Sequence, residues 1–278
     1  MRIDAHQHFW KYNPTEYSWF TDQMKVLKRD FLPDDLLPEL HEIGFDGSVA
    51  VQARQSIEET RWLLDIADKN EFVKGVVGWI DLCSEDCENQ LKEFVKNRKF
   101  SGVRHVLQDE PDDRFMLSES FLKGIRRLGK YNLVYEILIL PKHLPYAEEL
   151  VRRFPEQQFV LDHIAKPFIK KGTITPWKDD IHKLAKHPNV SCKISGMVTE
   201  ANWHSWKKED FLPYLDVVMD AFGPSRLMIG SDWPVCTVSS SYKVTMKLVI
   251  DYLMSLNQAD RDLILGMNTI RIYKLQTL

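Results

Sequence analysis

A regular alternation of short apolar segments with amphipathic ones is the feature that most constrains how this chain can fold. Eight apolar segments rich in β-branched residues occur between Ile3 and Gly230, and each is followed by a helical pattern. Strands buried on both faces of a parallel sheet have such near-continuous apolar runs. The alternation predicts an α/β fold, and eight βα units in 278 residues predict a (β/α)8 TIM barrel, a single domain over 1–278. The predicted strands are 3–8, 47–51, 73–80, 102–107, 133–138, 158–162, 190–194 and 226–230.

The predicted helices begin near positions 33, 56, 85, 119, 145, 177, 209, 242 and 260, and the last extends to 275. The competing architecture is an open, doubly wound sheet. Such sheets commonly bind nucleotides through a glycine-rich phosphate turn, and the chain contains neither Gly-x-Gly-x-x-Gly nor a Walker-type motif. This absence favours the closed barrel.

The first predicted strand carries two histidines, His6 and His8, separated by one residue. Because successive side chains of a strand point to opposite faces, the two imidazoles lie on the same face, about 7 Å apart. Two imidazoles in this arrangement can share a ligand or a metal ion. The same pattern also occurs in polar loops, so the interpretation depends on the other strands.

Polar residues stand at or near the ends of all eight predicted strands. The active sites of (β/α)8 barrels lie at these carboxyl ends, and burying so many unpaired charges costs free energy unless they pair or bind something. The pattern therefore predicts an active site at this mouth of the barrel. The residues are His6, His8, Gln52, Arg54, Asp81, Arg104, His105, Glu136, His163, Lys193, Ser195 and Asp232.

Five motifs that contain these residues resemble the amidohydrolase superfamily, and more narrowly its branch of sugar and dicarboxylate lactonases, amidohydrolase family 2. The motifs are Asp-Ala-His-Gln-His-Phe-Trp (4–10), Gly-Val-Arg-His (102–105), Asp-His-Ile-Ala-Lys-Pro (162–167), Cys-Lys-Ile-Ser-Gly (192–196) and Gly-Ser-Asp-Trp-Pro-Val (230–235). The resemblance implies a (β/α)8 barrel that opens the lactone ring of a sugar acid of the L-fucono or L-rhamnono type. Dicarboxylate-lactone hydrolysis, muconate-type decarboxylation and a non-catalytic barrel that binds sugar acids remain as alternatives.

Lactone hydrolysis requires a base that activates water, a polarised carbonyl and a proton for the leaving oxygen. Asp232, after the last strand, is the predicted base, although it could instead cap the turn that follows. His6, His8 and His163 could hydrogen-bond the carbonyl oxygen or hold a metal that polarises it.

Five residues are predicted to contact the substrate. Arg104 offers a fork of donors suited to a carboxylate or a polyhydroxy compound, unless it forms a salt bridge within the rim. His105 is adjacent to Arg104 and should face away from the pocket. Trp79 could supply an apolar wall, and Glu136 could contact the substrate, bind metal or pair with Arg104. The predicted substrate-binding residues are Arg104, Trp79, Glu136, Gln52 and Arg54.

The sequence predicts at most one divalent metal ion, zinc or manganese, held by His6, His8 and Asp232 with His163 or Glu136 as a fourth ligand. Superfamily members with two metals use a bridging carboxylated lysine or glutamate from the fourth strand and a histidine from the fifth, as the resemblance implies. Here the corresponding positions are Arg104 and Glu136, and a guanidinium has no lone pair to offer. A metal-independent mechanism, in which histidines and arginine polarise the carbonyl directly, stays open.

Composition restricts the partners and the compartment. The net charge of −3 suggests neither a nucleic-acid nor a membrane partner, and no apolar run approaches the roughly 20 residues of a membrane span. We expect no signal peptide, reduced cysteines and a cytoplasmic location. The expected partner is a small-molecule sugar lactone, and a homo-oligomer stays open.

Overall fold

Eight parallel strands form the centre of the molecule, and they follow one another around the sheet in chain order. The computed structural model describes residues 1–276. Each strand pairs with the next in parallel register, for example Arg104 beside Glu136 in the fourth and fifth strands. The strands are β1 (Ile3–Gln7), β2 (Gly47–Val51), β3 (Val73–Gly78), β4 (Phe100–His105), β5 (Val134–Ile137), β6 (Phe159–Leu161), β7 (Val190–Ile194) and β8 (Leu227–Ile229).

Backbone hydrogen bonds just beyond β8 join the last strand to the first. The amide of Asp232 donates to the His6 carbonyl oxygen at 2.8 Å, and the His8 amide donates to the Trp233 carbonyl oxygen at 2.7 Å. These bonds close the sheet on itself, so the predicted (β/α)8 barrel is confirmed. The closure also joins two predicted site residues, His6 and Asp232, by a backbone hydrogen bond.

Helices follow the strands around the outside of the barrel. The predicted final helix, 260–275, is wrong in one respect, because a π turn over Leu263–Met267 interrupts it. At that turn Gly266 passes so close to the start of the chain that a Cβ would lie 2.3 Å from the Met1 carbonyl oxygen. The helices are α1 (Pro33–Glu42), α2 (Ile57–Lys69), α3 (Cys87–Phe94), α4 (Glu119–Gly129), α5 (Leu144–Arg153), α6 (Trp177–Ala185), α7 (Leu212–Phe222), α8 (Tyr242–Leu253), α9 (Gln258–Asp262) and α10 (Asn268–Tyr273).

The barrel interior has an apolar floor below a layer of charged groups. Val49, Val134, Val160 and Met228 are fully or almost fully buried in one cluster with Tyr273 of α10. Because α10 packs against this cluster, the C-terminal part of the chain closes the amino-terminal end of the barrel. Within residues 1–276, no helix is long and apolar enough to span a membrane.

Candidate active site

Three histidines and one aspartate meet at the carboxyl ends of β1, β6 and β8. Asp232 Oδ1 lies 3.3 Å from His8 Nε2, and 3.9 Å from both His6 Nε2 and His163 Nε2. The His6 and His8 Nε2 atoms are 3.1 Å apart. The structure thus brings His6, His8, His163 and Asp232 together in one cluster.

Asp4 holds this cluster together from outside the barrel. Its carboxylate accepts hydrogen bonds from the Ser231 amide at 2.9 Å, the Ser231 hydroxyl at 2.6 Å and the Tyr242 hydroxyl at 3.2 Å. The His6 amide also donates to it, at 3.1 Å. Burial raises the pKa of Asp4 to about 6, even though these donors act to lower it. Asp4 therefore fixes the start of β1 against the segment that carries Asp232.

Asp232 is buried but surrounded by groups that favour its charged form. Burial acts to raise its pKa, yet the interactions with His163 and His8 and the charge of Lys166 outweigh burial and lower the pKa overall. The carboxylate is therefore ionised at neutral pH. Burial lowers the pKa of His163 well below the ordinary value, and the imidazole is therefore neutral.

His8 has a defined tautomer. Its Nδ1 lies 2.7 Å from the Val51 carbonyl oxygen, which can only accept, so Nδ1 carries the ring proton. Its Nε2 faces Asp232 Oδ1 at 3.3 Å and His6 Nε2 at 3.1 Å. In the neutral ring this nitrogen can bind a metal ion.

The donor set fits one divalent ion. His6, His8 and Asp232 each offer one ligand atom, all within 4.8 Å of one another, and three such ligands plus water form a catalytic zinc pattern. The ligand atoms of His6, Asp162 and His163 also lie within 4.8 Å of one another. This second group is less suited to a metal ion, because both carboxylate oxygens of Asp162 already face cations.

Those cations belong to a charged layer beneath the cluster. Lys193 Nζ lies 2.5 Å from Glu136 Oε1, 3.3 Å from Asp162 Oδ1 and 3.1 Å from His6 Nδ1. Arg104 Nη1 lies 3.1 Å from Asp162 Oδ2 and 3.3 Å from His6 Nε2. These five side chains are 0 to 3% exposed. The layer fixes the His6 ring from both sides.

The pKa values of the two carboxylates in this layer shift in opposite directions. Burial raises the pKa of Glu136, and the nearby Asp162 charge raises it further, despite the attraction of Lys193. For Asp162, burial is outweighed by Lys193, His6 and Arg104, which hold its pKa well below the ordinary value. Asp162 is therefore the permanent anion of the layer.

His163 stands on a left-handed turn. His163, Ile164, Ala165 and Lys166 have φ values of 54°, 48°, 60° and 49°. Left-handed backbone costs non-glycine residues about 1–2 kcal/mol each, so the surrounding structure must hold the turn in place. Trp177 contributes by donating its indole N–H to the Ile164 carbonyl oxygen at 2.8 Å. Backbone strain of this kind is concentrated at functional sites.

A cavity of about 620 Å³ opens above the cluster, which is within the range of small-molecule sites. His8, Arg104, His163, Lys166 and Asp232 line its floor and wall. His6 is fully buried beneath that wall. The cavity therefore exposes the carboxylate and two imidazoles to a ligand while His6 supports them from behind.

The segment 9–32, which is rich in aromatic residues, forms one rim of the cavity, with Trp10, Glu16 and Trp19 in the lining. Arg54 lies at the rim as well and pairs with Glu16 and Glu59. Glu59 is buried and also accepts hydrogen bonds from the Ala53 and Arg54 amides at 2.9 and 2.8 Å. Burial raises its pKa to about 7.

Three residues expected to contact the substrate lie away from the cavity lining. Trp79 points outward and donates to His105 Nδ1 at 3.3 Å, while His105 itself stacks on Phe115 on the helix side, as strand alternation predicts. Glu136 lies in the charged layer, where Tyr273 and Lys193 contact it. Gln52 is fully buried and accepts from Arg104 at 2.9 Å. Direct contact of these three residues with the substrate stays a prediction.

The sequence interpretation missed two groups that the structure places in or beside the site. Lys166 lines the cavity three residues after His163, and Asp162 anchors both Arg104 and Lys193. Both belong to the motif 162–167, so a signal existed. Nothing in the motif alone indicates the left-handed turn that directs Lys166 inward.

Comparisons with known proteins identify the family of the chain. A family model described as amidohydrolase matches residues 3–275. An L-fucono-1,5-lactonase of Burkholderia multivorans is 38% identical over 99% of this chain and 96% of that protein. An L-fucono-1,5-lactonase of Burkholderia ambifaria is 40% identical over 87% of this chain and 83% of that protein. The crystal structure of an amidohydrolase from Burkholderia multivorans with bound zinc has a TM-score of 0.97 at 38% identity, covering 99% of this chain and all of that one.

Proposed function

The chain belongs to the amidohydrolase family, as its motifs predicted, and on that premise we propose that it opens the lactone ring of a sugar acid by hydrolysis. Two relatives at 38 and 40% identity are L-fucono-1,5-lactonases, which makes that lactone the leading substrate. The observation that carries the proposal is the ionised Asp232 carboxylate, which lines the cavity 3.3 Å from His8 Nε2. A buried carboxylate that is held in its charged form and faces a cavity is suited to take a proton from water.

In the proposed reaction Asp232 accepts a proton from the attacking water. Its carboxylate lines the cavity, and its backbone is fixed by the hydrogen bond to the His6 carbonyl oxygen at 2.8 Å. The water oxygen then attacks the lactone carbonyl carbon. A positioned base of this kind contributes about 10²–10⁴-fold to the rate.

His163 and Arg104 are the groups that we assign to the carbonyl oxygen. His163 Nδ1 lies 2.9 Å from the Ser195 hydroxyl, and when that hydroxyl donates, Nε2 carries the proton and faces Asp232 across the cavity floor. Arg104 lines the same cavity and keeps a full positive charge. Donors placed where negative charge develops stabilise the transition state.

We further propose that His6, His8 and Asp232 hold at most one divalent ion. When bound, such an ion supplies a Lewis acid for the carbonyl oxygen and lowers the pKa of a bound water. A zinc-bound relative at 38% identity supports zinc as the metal to test first. The positive charges of Arg104 and Lys193 beside His6 disfavour a second ion.

The test of the reaction is a pH-stat assay over a panel of lactones, with L-fucono-1,5-lactone compared with L-rhamnono lactones, a pyrone dicarboxylate and a phosphotriester. We expect the sugar lactones to be hydrolysed fastest. Asp232→Asn keeps the shape and removes the basicity, so kcat should fall by about 10²–10⁴-fold. Asp81→Asn, three residues beyond β3 and outside the cavity lining, is the matched control and should retain activity. Near-full activity in Asp232→Asn would exclude it as the base.

The test of the metal is elemental analysis of freshly purified protein, with activity measured before and after chelation. We expect no more than one ion per chain. Activity that falls on chelation and returns with zinc or manganese would assign the ion a role in the reaction. Full activity in metal-free protein would assign carbonyl polarisation to His163 and Arg104 alone. Two tightly bound ions would contradict the proposal.

A further inference from the structure

One ligand of the proposed ion site is already engaged by the protein on both sides of its ring. His6 Nε2 lies 3.3 Å from Arg104 Nη1, and His6 Nδ1 lies 3.1 Å from Lys193 Nζ. Guanidinium and ammonium groups donate hydrogen bonds and accept none. Each ring nitrogen of His6 therefore faces a cation that can only donate to it.

Neither tautomer of His6 leaves Nε2 open to a metal ion. A histidine binds metal through its neutral ring, which has a lone pair on only one of its two nitrogens. If the lone pair is on Nδ1, it accepts from Lys193, and Nε2 carries the ring proton. If the lone pair is on Nε2, it accepts from Arg104. A divalent ion therefore reaches Nε2 only when the Arg104 hydrogen bond is broken and the ring proton is on Nδ1.

Contacts on its other side hold Arg104 beside His6. Its Nη1 pairs with Asp162 Oδ2 at 3.1 Å, and its Nη2 donates to Gln52 Oε1 at 2.9 Å and to the Gln52 carbonyl oxygen. Arg104, Asp162 and Gln52 are 0 to 3% exposed, and buried charges are screened little by salt. A divalent ion at His6 Nε2 would therefore lie beside a fixed positive charge that repels it.

Resting on the proposed ion site, we propose that the Arg104 guanidinium competes with a divalent transition-metal ion for His6 Nε2 and thereby sets the affinity of the site. When the ion binds, the hydrogen bond from Arg104 breaks, and the Nε2 lone pair is donated to the metal. The ring proton is then on Nδ1, where Asp162 Oδ1 at 3.5 Å is its acceptor. Nδ1 and Lys193 Nζ are both donors in that state, so Lys193 acts against the ion as well.

The first experiment measures the zinc Kd of metal-free protein by competition with a chromophoric chelator. Arg104→Met removes the charge and the hydrogen bond, so zinc should bind about 10–100-fold more tightly, the range over which neighbours of metal ligands alter affinity. Arg54→Met is the matched control, because Arg54 is another guanidinium of the cavity lining and pairs with Glu16 and Glu59. Its zinc Kd should stay within about threefold of that of the unmodified protein, since solvent screens a charge at the rim.

The second experiment locates the ion. Arg104→Met/His6→Ala should bind zinc at least about tenfold more weakly than Arg104→Met, because a ligand is lost. Thermal unfolding gives a second readout, since a ligand of the folded state stabilises it more as Kd falls. A fixed zinc concentration should therefore raise the Tm of Arg104→Met more than that of the unmodified protein. Arg104→Gln, which also removes the charge, takes the place of Arg104→Met if the methionine variant does not fold.

A zinc Kd for Arg104→Met within about threefold of the unmodified value would overturn the proposal, as would an equal gain in Arg54→Met. Tight binding that persists in Arg104→Met/His6→Ala would place the ion elsewhere and would also overturn it. The proposed ion site is judged separately, since it fails if His6→Ala alone leaves the zinc affinity unchanged. None of these measurements uses a substrate, so the proposed lactone hydrolysis is judged independently by the lactone panel.

Discussion

Replacing Lys193 with Met should destabilise the barrel strongly, because its ammonium holds the charged layer together. Lys193 is fully buried and contacts Glu136 at 2.5 Å, Asp162 at 3.3 Å and His6 at 3.1 Å. Methionine fills nearly the same volume, so the loss of packing is small. The change therefore isolates the electrostatic contribution.

The expected magnitude follows from this geometry. Removing one partner of a buried ion pair leaves an uncompensated charge and costs about 3–5 kcal/mol. Here two carboxylates lose their shared cation, and Arg104 remains near only Asp162 among them. At roughly 2–4 °C per kcal/mol, Tm should fall by about 6–20 °C.

Urea unfolding measures the effect as a free energy of unfolding, and the double variant Lys193→Met/Glu136→Gln tests its origin. Neutralising Glu136 should recover roughly 1–3 kcal/mol, because the protein then no longer has to bury this carboxylate without its cation or to protonate it. Lys123→Met is the control, since this exposed lysine pairs with Glu119 on the surface at 3.1 Å. It should cost less than about 0.5 kcal/mol.

A loss below about 1 kcal/mol for Lys193→Met would refute the reasoning, since it would make the buried layer no more costly to break than a surface pair. A double variant no more stable than Lys193→Met would locate the cost outside the carboxylate of Glu136.

The pH dependence of stability should change in Glu59→Gln, because burial raises the pKa of Glu59 from 4.5 to about 7. The protonated carboxyl group therefore stabilises the folded state fully below pH 4.5, and this stabilisation is lost as the pH rises through 7. Urea unfolding at several pH values should show the variant losing up to about 3 kcal/mol less than the unmodified protein, and parallel curves would contradict this. Gly196→Ala should lower kcat by roughly 10²-fold, because its Cβ would lie 2.6 Å from His163 Nδ1. Gly172→Ala is the control, since it has the same left-handed φ but open space around the added Cβ, and equal loss in both variants would assign the effect to backbone strain.

The sequence determined the order of the strands and the residues at the active end. Both depend on local pattern, because apolar β-branched runs predict buried strands and a parallel barrel brings every carboxyl end to one mouth. This is why His6, His8, His163 and Asp232 could be chosen before their distances were known. It is also why Arg104 could be preferred to its neighbour His105.

Only the tertiary structure decided how those residues are used. Strand alternation correctly predicts that the side chains of Glu136 and Gln52 point into the barrel. Below the cavity floor, however, Lys193 contacts Glu136 and Arg104 contacts Gln52. The inward direction of Lys166 depends on a left-handed turn whose strain is offset by contacts distant in sequence, such as that from Trp177. Alternation specifies which face a side chain occupies. Its depth, partners and charge state depend on groups that the chain brings together only after it closes into a barrel.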